Sequence, residues 1–250
     1  MLIDELLTYL FEARPHLLTQ PMTTWLTSSR RFTTFVTTFR DKIRKKLRTA
    51  QDQETLLDLR LELETAYLLL QERPLSLVYE PQPSGQSRRP DFSVTYTTSL
   101  TFMVEVTRLR TDPKNTPTDV TEQTGVTPTA NSILGERLAD TVCSKLGQLL
   151  PQRSNVLLVG VEALYLTPTD LRTAMLHLLQ RVERQDPPFF QRYGFRNRSD
   201  FFHHYQRLSE ILVRGPQLSA NEPTIVWVNP QAKQPLPGKV RTALYRSHAV

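Results

Sequence analysis

The stretch Arg89-Pro-Asp-Phe-Ser-Val-Thr-Tyr-Thr-Thr-Ser-Leu-Thr-Phe-Met-Val-Glu-Val-Thr-Arg108 decides how the rest of the chain is read. Two β-branched, aromatic-rich segments flank a short polar turn at Thr98–Ser99, the pattern of a hairpin. Alternation puts Phe92, Val94 and Tyr96 on one side of the first strand. It puts Phe102, Val104 and Val106 on one side of the second, with Met103, Glu105 and Thr107 opposite. A tight hairpin returns Asp91 alongside Glu105, which sits between two valines. Two carboxylates about 4 Å apart repel by roughly 4 kcal/mol at an effective dielectric near 20. Such a pair must share a proton, find a cation or bind a metal. Taken singly, Asp91 is an ordinary strand-entry residue after proline, and Glu105 an exposed acid at a sheet edge.

Outward from the hairpin, residues 52–72 form an amphipathic helix with Leu56, Leu59, Leu63, Ala66 and Leu70 as its stripe. Glu62 borders that stripe and Glu64 lies nearer Leu57, Leu61 and Leu68. Either acid alone reads more simply as a surface carboxylate beside Arg60. Pro74 ends the helix, Leu75–Tyr79 is a short strand, and a polar loop leads to Arg88 and Arg89. After the hairpin, residues 111–131 carry seven Thr and three Pro, a long loop of the kind usually functional or mobile. Residues 132–150 read as a helix in which Lys145 and Gln148 share one edge. Asn155–Val161 is a continuous apolar run, as in a strand covered on both faces. A strand, a helix and a buried strand in succession imply a crossover to a parallel neighbour.

The ends read as helical. Leu2, Leu6, Leu7 and Leu10 repeat at helical spacing, and a second helix is expected from Met22 into Leu47. The end of that helix is basic, with Arg44, Lys45 and Lys46 central to it. The cations form either a phosphate-contacting patch or a solvated helix terminus. From Pro168 a helix runs to about Arg184. Phe189, Phe190, Tyr193, Phe195, Phe201, Phe202 and Tyr205 follow, mixed with arginines; a packing face is the favoured reading over a base-stacking surface. Ile225–Val228 is a strand and a short helix lies near Lys239–Tyr245.

The chain has 250 residues and a net charge of +6, which favours an anionic partner, nucleic acid first. A single cysteine excludes an internal disulfide framework and a Cys-rich zinc site. The first residues lack a basic n-region and an unbroken apolar stretch, so no secretory signal is read there. No segment approaches the roughly 18 apolar residues of a membrane span. A cytoplasmic protein is expected. The organisation expected is α/β: a mixed central sheet with an αβββαβ core over 51–166, a helical extension over 1–50, and a helical extension over 167–250 ending in a strand and short helix.

The order helix with Glu62, strand, strand opening on Pro90-Asp91, strand with Glu105-Val106-Thr107, helix, strand resembles the PD-(D/E)XK nuclease superfamily, the restriction-endonuclease-like fold. The resemblance covers about residues 52–161, with a weaker echo around Asn229–Pro237. It implies that Asp91, Glu105 and the Val106 carbonyl hold Mg²⁺ or Mn²⁺ and that Glu62, with Glu64 as the fallback, supports the site. The chain departs from the family at Thr107, where a lysine is usual. Lys145, followed by Gln148, is then the amine that steadies the water. The implied activity is metal-dependent phosphodiester hydrolysis, of DNA rather than RNA, with Arg44, Lys45, Lys46, Arg88 and Arg89 as backbone contacts and room for a homodimer. Thr107 also admits a catalytically inactive nucleic-acid-binding or assembly module on the same fold.

Overall fold

The computed structural model describes residues 2–82, 89–110, 130–161, 166–215 and 224–248, with the side chains of 130–133 set aside. Arg88 and most of the Thr-rich stretch lie outside the described residues. The described residues hold ten helices and six strands, with both antiparallel and parallel pairing. The fold is therefore α/β with mixed β-structure flanked by helices. The chain divides into two compact units, Met1–Val106 with Pro237–Val250, and Thr107–Leu236. This division cuts elsewhere than the three segments read from the sequence: the N-terminal helices and the last helix belong with the hairpin.

The first unit contains α1 (Ile3–Phe11), α2 (Thr19–Ser28), α3 (Arg30–Thr38), α4 (Arg40–Thr49), α5 (Gln53–Leu69), β1 (Leu75–Tyr79), β2 (Phe92–Tyr96), most of β3 (Leu100–Arg108), and α10 (Gly238–Ser247). The single helix expected from Met22 to Leu47 is three. Ser29 is extended, at φ −137° and ψ 104°, and its side chain accepts the Phe32 N–H, capping α3. Phe39 leaves helical geometry at φ −106° and ψ 16° before α4 begins. Thr33, Thr34, Thr37 and Thr38 all turn their hydroxyls back onto carbonyls of α2 and α3, a habit that weakens long helices.

Helix α5 opens on Asp52, whose carboxylate accepts the Thr55 N–H at 2.8 Å. It is buried nearly all round, at Leu59, Leu61, Leu63, Glu64, Thr65, Ala66, Leu68 and Leu69. Such a helix needs cover on several sides, and α4, β1 and α10 supply it. β1, β2 and β3 make an antiparallel meander, Tyr79 opposite Phe92 and Phe92 opposite Val104. Packed on it are the rings of Phe35, Phe39, Tyr79 and Phe92, with centroids 5.1–6.4 Å apart. Aromatic contacts of this kind add to the area they bury.

The second unit contains α6 (Ala130–Leu146), β4 (Ser154–Gly160), α7 (Pro168–Glu183), α8 (Pro187–Tyr193), α9 (Arg198–Tyr205), β5 (Leu208–Arg214) and β6 (Ile225–Val228). β4 and β5 run parallel, and β6 lies antiparallel to β5. Phe189, Phe195, Phe201 and Tyr205 are buried in its core, so the aromatic segment is a packing face. Asn155 is buried at the start of β4. Its side chain accepts the Leu150 N–H and donates to the carbonyls of Leu150, Arg153 and Arg207 at 2.9–3.0 Å.

Candidate active site

The hairpin register puts Asp91 and Glu105 opposite each other. The last paired couple is Phe92 with Val104, and the two acids are the next residues outward. The Val106 N–H donates to Asp91 Oδ2 at 2.7 Å, which pins the carboxylate to the neighbouring strand. The Asp91 carbonyl in turn accepts the Glu80 N–H at 2.8 Å, so β1 fixes the same residue from the other side. Glu105 is only 5% exposed, which removes the reading of it as a surface acid at a sheet edge. Residues 102–106 are all buried, so both faces of this strand are covered there.

Glu62 reaches the same cluster from α5. Its Oε2 accepts from the Tyr79 hydroxyl at 2.7 Å and from Lys46 Nζ at 2.7 Å. It is a bound acid rather than the surface carboxylate beside Arg60 that its local sequence suggests. Glu64, two residues on, is rotated about 200° around the helix axis and is buried on a different side. Lys46 Nζ also pairs with Glu80 Oε1 at 2.9 Å, and it lies 5.0 Å from the centre of the Tyr79 ring. Lys42 donates to the main-chain carbonyls of Tyr79 and Glu80 at 3.1 and 3.2 Å.

The electrostatics follow from this crowding. Burial, then the negative charges of Glu105 and Glu62, push the Asp91 carboxyl well above the usual carboxylate range. The Val106 N–H and the Lys46 charge act against that shift without cancelling it. Burial disfavours the Lys46 ammonium, but Glu62 and Glu80 outweigh it and hold its pKa above the ordinary lysine value. Burial and Glu62 together push the Tyr79 phenol far up, so it remains a hydrogen-bond donor.

The other residues expected at the site are spread more widely. Arg44 donates to Glu12 at 2.8 Å and its guanidinium lies 4.5 Å from the centre of the Tyr9 ring, tying α4 to α1. Lys45 and Arg89 are exposed. Thr107 is half-buried at the first position of the second unit. Lys145 and Gln148 belong to that second unit, where Lys145 Nζ lies 3.4 Å from Gln148 Oε1. The residues that the sequence left out of the cluster are Tyr79 and Glu80, and Lys46 entered only as a surface cation. Their sole local signal is the Tyr-Glu-Pro end of a strand and a lysine beside buried Leu47.

Two carboxylates and a main-chain carbonyl are hard oxygen donors, suited to Mg²⁺ or Mn²⁺. Among the described residues, no three His, Cys, Asp or Glu side chains converge as a ready cation cage. No family model, curated protein or solved structure matches the chain. Among the described residues no helix is long and apolar enough to cross a membrane.

Proposed function

We propose that this chain is a divalent-cation-dependent nuclease of the PD-(D/E)XK type, hydrolysing phosphodiester bonds, in DNA before RNA. The observation that carries the reading is the opposition of Asp91 and Glu105 at the open end of the β2–β3 register, with Glu62 bordering them. Asp91, Glu105 and the Val106 carbonyl would hold Mg²⁺ or Mn²⁺. When bound, such an ion polarises a phosphoryl oxygen and acidifies a water. The Val106 N–H holds Asp91 Oδ2 against β3. Glu62, anchored at Oε2, orients the attacking water. Exposed Lys45 and Arg89 supply phosphate contacts, in keeping with the positive net charge. A cytoplasmic location belongs to the same reading.

The direct test is cleavage of plasmid and short duplexes with Mg²⁺ or Mn²⁺, against a chelator control. Cutting by the native chain, lost in Asp91→Ala and Glu105→Ala, supports the reading. Cutting that survives both substitutions overturns it. Thr107 favours a second reading, a nucleic-acid-binding or assembly module without catalysis. That reading expects binding with no metal-dependent cutting and full tolerance of Asp91→Asn.

A further inference from the structure

We infer that Lys46 is the positioning residue of this acid cluster, supplying from α4 the positive charge that the strand motif lacks at Thr107. The inference rests on the nuclease reading and gives a role to a residue that reading leaves among the surface contacts.

The geometry sets Lys46 apart from a surface ion pair. Four carboxylates, Glu62, Glu80, Asp91 and Glu105, surround this corner of the first unit. Lys46 Nζ bonds two of them, at 2.7 and 2.9 Å. Its side chain is 29% exposed, and its Glu62 partner 15%. Exposed pairs are worth little because water and salt screen them; here both partners are largely out of water. Lys42, the nearby cation on the same helix, gives its ammonium to main-chain carbonyls instead. Lys46 thus gives its ammonium to acids of the cluster, Glu62 and Glu80. Its bond to Glu62 and that of Tyr79 converge on one oxygen, Oε2, which fixes the carboxylate at that end.

A charge so placed acts in two directions. It repels an incoming cation, because like charges share the site. It supports reaction, because it fixes Glu62 at the same oxygen that Tyr79 holds. For a lysine that merely ties α4 to α5, neutralisation lowers stability and leaves kcat at saturating Mn²⁺ unchanged.

The test compares the full chain with Lys46→Met, using Mn²⁺ titrated calorimetrically and cleavage of a short duplex at saturating Mn²⁺. Expected for Lys46→Met are Mn²⁺ binding about ten-fold tighter, from the removed like charge, and a kcat at least about 100-fold lower with KM little changed. Lys46→Arg should return Mn²⁺ affinity to the native value and restore part of kcat. If Lys46→Met does not fold, Lys46→Gln keeps a donor to Glu62, removes the charge and carries the same expectations. Native Mn²⁺ affinity in the neutral variant overturns the inference, whatever its thermal stability. Tighter binding with unchanged kcat overturns it as well. A native chain that binds no Mn²⁺ and cuts nothing fails the nuclease reading and takes this inference with it. A native chain that binds and cuts, with a neutral variant that does the same equally well, fails this inference alone.

Discussion

Asp91 and Glu105 face each other one residue beyond the last paired couple of the β2–β3 hairpin, and Asp91 Oδ2 takes the Val106 N–H at 2.7 Å. Burial, and then the like charges of Glu105 and Glu62, raise the Asp91 pKa, so the folded chain holds a proton there that the unfolded chain releases. The folded pKa is raised, so Asp91 favours the fold fully below the ordinary aspartate value of about 3.9, and that contribution is lost as pH rises through the folded value. In chelator, the native chain should lose stability relative to Asp91→Asn as pH climbs from 4 to 8. Thermal unfolding of the two proteins across that range checks this. Added Mn²⁺ should raise the native Tm at pH 8 and leave that of Asp91→Asn nearly unmoved. A native-minus-variant difference that is flat with pH would count against the crowding.

Tyr79→Phe isolates the hydroxyl from the ring. The ring stacks on Phe92 at 5.4 Å and contacts Phe35 and Phe39, and phenylalanine keeps that packing. What is lost is one hydrogen bond to a charged acceptor, worth about 1.5–3 kcal/mol. The expected result is a destabilisation near the lower end of that range, because Lys46 still holds Glu62. Cleavage should fall by about ten-fold in kcat with KM unchanged, the mark of a group that acts when charge develops. Urea unfolding and steady-state kinetics measure the two effects separately.

The hairpin and α5 were legible in the sequence because their patterns are local. Leu75–Tyr79 alternates between turn signals, and the Asp91–Glu105 opposition follows once the turn is placed at Thr98. The strand β5 is not legible in the sequence because its polar residues disguise it. Ser209, Glu210 and Arg214 are as buried as Ile211, Leu212 and Val213, so neither alternation nor an unbroken apolar run is present. Lys46 was legible only as a basic residue in a basic run. Its pairing with Glu62 spans 16 positions and depends on the chain turning at Ala50, at φ −77° and ψ 87°. No pattern within one helix records that turn.

Arg31 ties α3 to the end of α5 and the start of β1. It donates to the carbonyls of Leu70 at 2.7 Å and Glu72 at 2.8 Å, and to that of Leu75. Terminal helix carbonyls have no partner within the helix, so these bonds close the C-terminus of α5. Arg31→Met keeps much of the stem and removes the fork. The expected cost is about 2–4 kcal/mol, from charged hydrogen bonds lost and carbonyls left unsatisfied. The shift should appear in urea unfolding followed through Trp25, which is buried in the same unit. An equally large effect of Arg31→Lys would support the need for a planar fork over a point charge.

Asn155 offers the matching test in the second unit. Its amide serves three carbonyls and its oxygen one N–H; the two bonds to Leu150 are buried and those to Arg153 and Arg207 part-buried. The contacts join the segment after α6 to the starts of β4 and β5, and Ser209 Oγ accepts the Asn155 N–H at 2.9 Å. Asn155→Ala leaves the Leu150 N–H and carbonyl buried with nothing to replace the amide, which should cost about 2–4 kcal/mol. Asn155→Asp keeps the acceptor but places a charge among carbonyls, and should be no less damaging. The chain has two tryptophans, Trp25 and Trp227, which fall one in each unit. In a Trp25→Phe background, Trp227 fluorescence therefore reports the second unit by itself. A lower urea midpoint for Asn155→Ala in that background is expected, and an unchanged midpoint would mean that the buried amide contributes no net stability.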